Sequence, residues 1–478
     1  EMLNFKLEDN GGGIGKVSIK LNGKEVVEDI TKTEIYNLET NTFEFLLSHP
    51  FIRPESLNKL SVEAFNDKGY PLSNQKNIYF IPEKRENTAP VPSKLFVLSI
   101  GISDYRGKAI DLNYAAKDAT DFADAMEIAG VAQFGEDNFE LFRMTTDTNQ
   151  KGTYPLKENI SSTFKEIANQ ANPEDIFMVY FAGHGLDLEN DDEFYFLTAE
   201  AEHPYVRGPE EARGISLSSS ELAELFKLVP SQKQVLVVDA CHSGNLANGL
   251  FSENGQLKTE GIRALDKVKD RTGLYILASS EGAEVSYESS HLEQGLLTYS
   301  LLFGLKGEAL QDNEYVDVID MLQYARKKVP ELADEIGERQ IPIVQIPQDA
   351  SSFYLGRLGT AEKGKIKINS AKPIVLSSSF QNEETLLDEQ HAGLKMDEII
   401  KNDRSKYNNQ YLFIEQGGVF SNAYSIYGRY RKEGNGYVVD YRIFNGEKEL
   451  KKGSLSDQNL EDLLNVIADE LIKLIIDN

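Results

Sequence analysis

The chain has 478 residues, 40% of them hydrophobic and 27% charged, which sets an expectation of about three domains with real cores. A formal net charge of -27 argues against nucleic acid as a partner, because phosphate repels such a surface, and favours basic substrates or a plainly solvated acidic exterior. The single cysteine, Cys241, excludes an internal disulfide and suits a reducing cytoplasm, and no apolar run approaches the ~20 residues of a membrane helix.

Residues 1–82 read as β structure. KVSIKLNGKEV alternates apolar and polar residues around Asn22-Gly23, a hairpin signal. FEFLL, LSVEAF and IYF follow at short spacing, which suggests a small β-sandwich of immunoglobulin type. LNFKL and KVSIKL read as two adjacent strands of it. The start, EMLNFKLEDNGGG, has no signal-peptide pattern. It begins on Glu1 and offers only later strands of a sandwich, so more chain is expected before it. Residues 83–94 are rich in proline and read as a linker.

Residues 95–357 alternate strand and helix, the pattern of a mostly parallel sheet covered on both faces. LFVLSIGI, FELFRM, IFMVYF, QVLVVD, LYILA and IPIVQI are the strands. Leu112, Ala115, Ala119, Phe122 and Met126 share one helix face, as do Leu156, Ile160, Phe164, Ile167 and Ala171. Ser218 and Glu221 form a capping box before Leu222, Leu225 and Phe226. GLLTYSLLFGL and VDVIDMLQYARKKV are further helices. The polar stretch 245–272 reads as a long loop, which inside a compact domain is functional or disordered. From 362 to 478 the texture becomes α+β: KIKIN, YLFIEQ, SIYGRYR and YVVDYRIF are strands, and Leu460, Leu463, Leu464, Ile467, Leu471 and Leu474 line a terminal amphipathic helix.

The chemistry concentrates at two strand ends. IFMVYF runs into AGHG and presents His184, and QVLVVDA runs into CHSG and presents Cys241. Ligands of open parallel sheets lie beyond the carboxyl ends of the strands, so the two residues are expected to be neighbours. A thiol beside an imidazole is the smallest equipment for nucleophilic acyl transfer. Gly183 and Gly185 let backbone approach a substrate, and the amides of Gly185 and Cys241 are candidate oxyanion donors. A lone buried cysteine is more often a small hydrophobe, but the polar CHSG context and the matching histidine reverse that reading.

YFAGHG followed by VVDACHSG resembles the caspase-like cysteine peptidases, specifically the metacaspase and paracaspase branch. The resemblance spans residues 95 to about 350 and includes LFVLSIGISDY, KDATDFADAM, FYFLTAEA and LYILASSEGAEVSYE. It implies a caspase-like α/β/α sandwich, with Cys241 as nucleophile and His184 as general acid/base. It also implies that Asp118, Asp239 and Glu284 line the primary specificity pocket. Three carboxylates there demand a cation, so cleavage after Arg or Lys is expected. The bland alternatives are a solvated helix residue for Asp118 and a loop charge for Glu284.

The resemblance also makes Lys258, Arg263, Lys267, Lys269 and Arg271 candidate autoprocessing sites, against the plain reading of a flexible loop. Calcium and zinc are the metals weighed. DLENDDE (187–193) is rich in hard oxygen donors but lacks EF-hand spacing, so an ordinary acidic loop is favoured and no metal ligand is assigned. A zinc site of His184, Cys241 and His242 lacks a second cysteine. His49, His203, His291 and His391 read as surface or packing residues. The expected partners are protein substrates with Arg or Lys before the scissile bond, and a regulatory protein met through the flanking domains. Neither nucleic acid nor membrane is expected. The competing reading is a catalytically silent caspase-fold scaffold.

Overall fold

In a computed structural model, the Asn22-Gly23 pair closes the first hairpin with both residues in the left-handed region, φ 54° and 87°, as a two-residue turn between right-twisted strands requires. The structure describes residues 2–476 apart from 10, 69–75, 83–91, 148–151, 189–190, 192, 204–207, 242–258, 280–291, 336–339, 348–350, 369–371, 407–410 and 415–422. The expected linker, 83–94, thus lies mostly outside the described residues. Strands β1 (Met2–Lys6), β4 (Tyr36–Asn37) and β5 (Thr42–Leu46) form one antiparallel sheet, in the order β1-β5-β4. Strands β2 (Val17–Leu21), β3 (Lys24–Val27), β6 (Asn58–Ala64) and β7 (Lys76–Phe80) form a second, in the order β3-β2-β6-β7. The segments expected to be adjacent strands, β1 and β2, therefore sit in different sheets. Val17, Ile19 and Leu21 alternate along β2 and bury against Phe43, Leu60 and Val62 in one core.

This β region belongs to the same compact unit as the central domain, a unit comprising residues 1–283, 297–329 and 340–368. Its β3 docks through charge. Glu25, only 4% exposed at its side chain, pairs with Lys227 at 3.2 Å and Arg271 at 3.0 Å. Those two cations hold its carboxyl below the usual range although burial pushes the other way. Glu25→Ala is expected to cost about 1–3 kcal/mol, less than a fully buried pair, because Glu224 still offers both cations a partner; a thermal melt reads the loss.

Beside it, Lys24 is buried and donates from Nζ to the Val229 carbonyl at 3.0 Å. Burial depresses its pKa well below that of a free lysine. The unfolded chain then binds one more proton than the folded chain, so stability rises with pH between the lowered value and the ordinary one. Lys24→Met is expected to flatten that slope in melts run across alkaline pH.

The central sheet grows from strands that are apolar on both faces, as helix-covered parallel strands are. They are β8 (Leu95–Gly101), β9 (Phe139–Thr145), β10 (Ile176–Asp187), β13 (Lys233–Cys241) and β14 (Tyr275–Ala278), in the spatial order β9-β8-β10-β13-β14 and parallel throughout. β16 (Ile343–Gln345) adds antiparallel to β14. The far end of β10 turns away to pair with β11 (Phe194–Leu197), which pairs with β12 (Ser216–Ser218), both antiparallel.

On one face, α1 (Ala115–Phe134) lays Phe122 over Tyr180, with ring centroids 4.5 Å apart. On the other, α2 (Lys157–Gln170) and α4 (Ser219–Leu228) bring Phe164 edge-on to both Phe177 and Phe226, with the Phe226 ring tilted 48° to that of Phe177. The period-2 alternation of β10 sends Tyr180 one way and Phe177 the other. Ser218 and Glu221 do form the expected capping box.

Three expectations fail locally. Leu112 and Leu156 precede their helices rather than belonging to them. The stretch 245–272 is not loop throughout, because α5 (Thr259–Thr272) occupies its second half. Its repeat Ile262, Leu265, Val268 supports that helix, and the dense charges between those residues mask the pattern. Further on, α6 (Leu296–Phe303), β15 (Tyr315–Asp317), α7 (Val318–Glu335) and β17 (Tyr354–Arg357) continue the chain. The KIKIN segment is not a strand; α8 (Thr360–Lys365) runs into it.

The second compact unit comprises residues 284–296, 330–339 and 369–478. Its sheet has strands at Ile374–Leu376, Ser379–Asn382, Leu412–Ile414, Tyr424–Glu433, Gly436–Asn445 and Lys448–Asp457. Helices Ala392–Lys406 and Leu460–Ile476 bury Met396, Ile400, Leu464, Ile467 and Leu471 in one core with Ile426, Val439 and Ile443 of the sheet. Among the described residues, no helix is long and apolar enough to cross a membrane.

Candidate active site

The chain passes from β8 outward to β9 and then back to β10 on the other side. β8 and β10 are thus neighbours at a switch of chain direction, the place beyond whose carboxyl ends open parallel sheets bind ligands. His184 and Cys241 both lie at this edge. β10 and β13 run parallel in unbroken register from Ile176↔Lys233 to His184↔Cys241, so the two residues are backbone partners, about 4.8 Å apart as neighbouring strands are. A separation of 57 positions in sequence thus closes to one strand spacing.

His184 is 2% exposed, and the β8–α1 connection holds it at two points. β8 pairs with β10 only as far as Ala182. Beyond that, the Tyr105 hydroxyl stands in for the missing strand and accepts the His184 backbone N–H at 2.8 Å, with the two rings 5.1 Å apart. The imidazole Nε2 lies 2.8 Å from the carbonyl oxygen of Ile110. A carbonyl only accepts, so Nε2 carries the proton and donates. The other nitrogen, Nδ1, is then the basic one, and a backbone carbonyl orients the ring.

The flanking glycines have packing reasons as well. A Cβ on Gly185 would come within 2.4 Å of the Phe194 ring, and one on Gly183 within 2.9 Å of the Tyr105 hydroxyl. Gly185 pairs with Phe196 where β10 meets β11.

Asp239 lies two residues before Cys241 on β13, in register with Ala182. It is 6% exposed, and all its hydrogen-bond partners among the described residues are neutral. Its Oδ2 accepts from the Thr298 hydroxyl at 2.5 Å and the Thr298 backbone N–H at 3.2 Å, with the Tyr180 hydroxyl 3.4 Å away. Burial pushes its carboxyl above the usual range, against the pull of those donors and of the Ser279 hydroxyl. Asp118, in the first turn of α1, is also buried. Tyr180 feels both acids: burial first, then the charges of Asp239 and Asp118, raise its pKa well above that of a free phenol. The structure thus brings two of the three expected pocket carboxylates to one tyrosine. Glu284 lies outside the described residues.

Lys258 also lies outside them. Arg263, Lys267, Lys269 and Arg271 sit on α5. Lys269 pairs with Asp266 and Asp270, and Arg271 with Glu25 and Glu224. A protease needs an extended segment, so cleavage at any of these four requires α5 to unwind first. In the 187–193 segment, Asp191 accepts from the Tyr195 hydroxyl, and Glu193 accepts from the Ser219 and Ser220 hydroxyls and the Ser220 amide. Among the described residues, no group of three or more His, Cys, Asp or Glu could hold a metal ion.

Sequence reasoning missed Tyr105, Ile110, Tyr180 and Thr298. Tyr180 and Thr298 read as core residues of a strand and a helix. Ile110 acts through its carbonyl, which no side-chain motif betrays.

The sequence model of the peptidase C14 family, the caspase domain, matches residues 94–354, more than half of the chain. The chain belongs to the caspase-domain peptidases. It is a cysteine-type peptidase, a hydrolase. It is 22% identical to metacaspase-7 of Arabidopsis thaliana over 294 residues, covering 58% of this chain and 70% of the relative. It is 28% identical to metacaspase-1 of Meyerozyma guilliermondii over 171 residues, covering 34% of this chain and 39% of that relative. A crystal structure of a Geobacter sulfurreducens protein aligns over 58% of this chain and 97% of its own, with 16% identity and a TM-score of 0.31.

Proposed function

We propose that this caspase-domain peptidase cuts peptide bonds after Arg or Lys through an acyl-enzyme on Cys241. The observation that carries the reading is the in-register pairing of His184 with Cys241, beside a buried Asp239 whose described partners are all neutral.

Nδ1 of His184 takes the proton of the Cys241 thiol, the resulting thiolate attacks the scissile carbonyl carbon, and the amides of Gly185 and Cys241 receive the developing oxyanion. His184 delivers a proton from Nδ1 to the leaving amine as the C–N bond breaks. It then takes a proton from the water that hydrolyses the thioester. The Ile110 carbonyl supports both steps by keeping the proton on Nε2 and the ring in one orientation.

Specificity follows from charge. A buried carboxylate without a cation is costly, and a guanidinium or ammonium from the substrate repays that cost on binding. Asp239 and Asp118 supply the negative charge, with Glu284 as the third pocket carboxylate. Lys258, Arg263, Lys267, Lys269 and Arg271 are the candidate processing sites, and the last four lie on α5, which must unwind before it can be cut. A positional-scanning library of fluorogenic peptides tests the reading, run with and without calcium. Turnover confined to Arg- and Lys-ending members is the expected result. Faster cleavage after Asp would overturn the pocket assignment, and no turnover at all would favour a scaffold.

A further inference from the structure

The pocket acid Asp239 is not held by the strand that carries it. Its Oδ2 is fixed from α6, by both the hydroxyl and the backbone N–H of Thr298. Thr298 is the third residue of that helix, where the backbone N–H has no partner within the helix. Asp239 thereby satisfies it from another element. The Thr298 hydroxyl has one proton and spends it on Asp239, so in its 2.5 Å contact with Tyr180 it accepts. The order is then Tyr180 O–H to Thr298 Oγ1, and Thr298 O–H to Asp239 Oδ2. Tyr180 is in turn clamped by the ring of Phe122, one turn beyond Asp118 on α1.

Thr298, Tyr180 and Asp239 are all buried, so a carboxylate free to rotate there would meet few alternatives. Both bonds from Thr298 end on Oδ2 and leave Oδ1 with capacity for a further donor.

We propose that Thr298 is a specificity-determining positioning residue: with Tyr180 behind it, it locks the Asp239 carboxylate in the orientation that offers Oδ1 to the cationic side chain of the substrate. This rests on the reading that Asp239 recognises Arg or Lys. Thr298 touches neither the scissile bond nor His184, so its removal should weaken recognition and spare the chemistry.

The test uses the full chain and two peptides that differ only at the residue before the scissile bond, arginine or its neutral isostere citrulline. Thr298→Val is expected to raise KM for the arginine peptide about tenfold, as loss of a hydrogen bond to a charged group does. The kcat should stay within about twofold, and the arginine-to-citrulline preference should fall by the same factor as KM rises. Thr298→Ser keeps the hydroxyl and is expected to restore the KM. Tyr180→Phe removes the bond behind Thr298 and is expected to raise KM about two- to threefold; it also serves if the valine variant does not fold. The alkylation rate of Cys241 by iodoacetamide should be unchanged in all three.

An unchanged KM in Thr298→Val and Tyr180→Phe, or a fall in kcat with KM unchanged, would overturn the proposal. So would a serine variant as impaired as the valine one. Asp239→Asn separates the two levels. If that variant loses its arginine preference while Thr298→Val keeps it, only the positioning role fails. If Asp239→Asn also keeps it, the charge reading fails and takes this proposal with it.

Discussion

Cys241→Ala is expected to abolish peptide turnover, with a fall in kcat of at least about 10⁴-fold, because removing a nucleophile leaves only binding and oxyanion stabilisation. His184→Ala is expected to cost less, about 10²- to 10⁴-fold, the range of a general acid/base. The difference has a physical origin. A cysteine near neutral pH retains a small thiolate fraction and attacks without help, whereas nothing replaces the sulfur. The histidine variant should regain rate as pH rises, since hydroxide then forms the thiolate unaided. Progress curves with an Arg-ending fluorogenic peptide between neutral and alkaline pH check both variants. If Cys241→Ala were as active as the wild type, the acyl-enzyme would be ruled out. Equal rates for the wild type and His184→Ala would remove the imidazole from the mechanism, in spite of its pairing with Cys241.

Asp239→Asn is expected to lower kcat/KM for the arginine peptide by about 100-fold, the effect of deleting one partner of a buried charge pair. The citrulline peptide, which offers no charge, should lose little. A pH dependence follows from the same residue. Burial raises the Asp239 carboxyl above the ordinary range, and only its ionised form attracts a cation. As pH falls through that raised value the carboxylate is protonated, so KM for the arginine peptide should climb at a higher pH than a free aspartate would require. KM for the citrulline peptide should stay flat over the same interval, and the asparagine variant should lack the climb altogether. Parallel KM profiles for the two peptides would show that a group other than Asp239 sets the acid limb.

The sequence by itself determined the caspase-domain scaffold and singled out the residues proposed to react on it. Apolar runs broken by AGHG and ACHSG identify parallel strands ending in polar residues, since only helix-covered strands are apolar on both faces. The hairpin at Asn22-Gly23, the Ser218–Glu221 box and the terminal helix from Leu460 were legible for the same reason, that each depends on residues within a few positions of one another. The second half of the 245–272 stretch was misread, because the charges of α5 outweigh its three-residue apolar stripe in any local count.

Only the tertiary structure decided how His184 and Asp239 are held. The Ile110 carbonyl and the Tyr105 hydroxyl reach His184 across 74 and 79 positions of chain, and Thr298 reaches Asp239 across 59. Each of these bonds exists because β8, β10, β13 and α6 converge at one end of the sheet. Backbone carbonyls and core hydroxyls acquire roles through that convergence, and their residue type alone does not announce them.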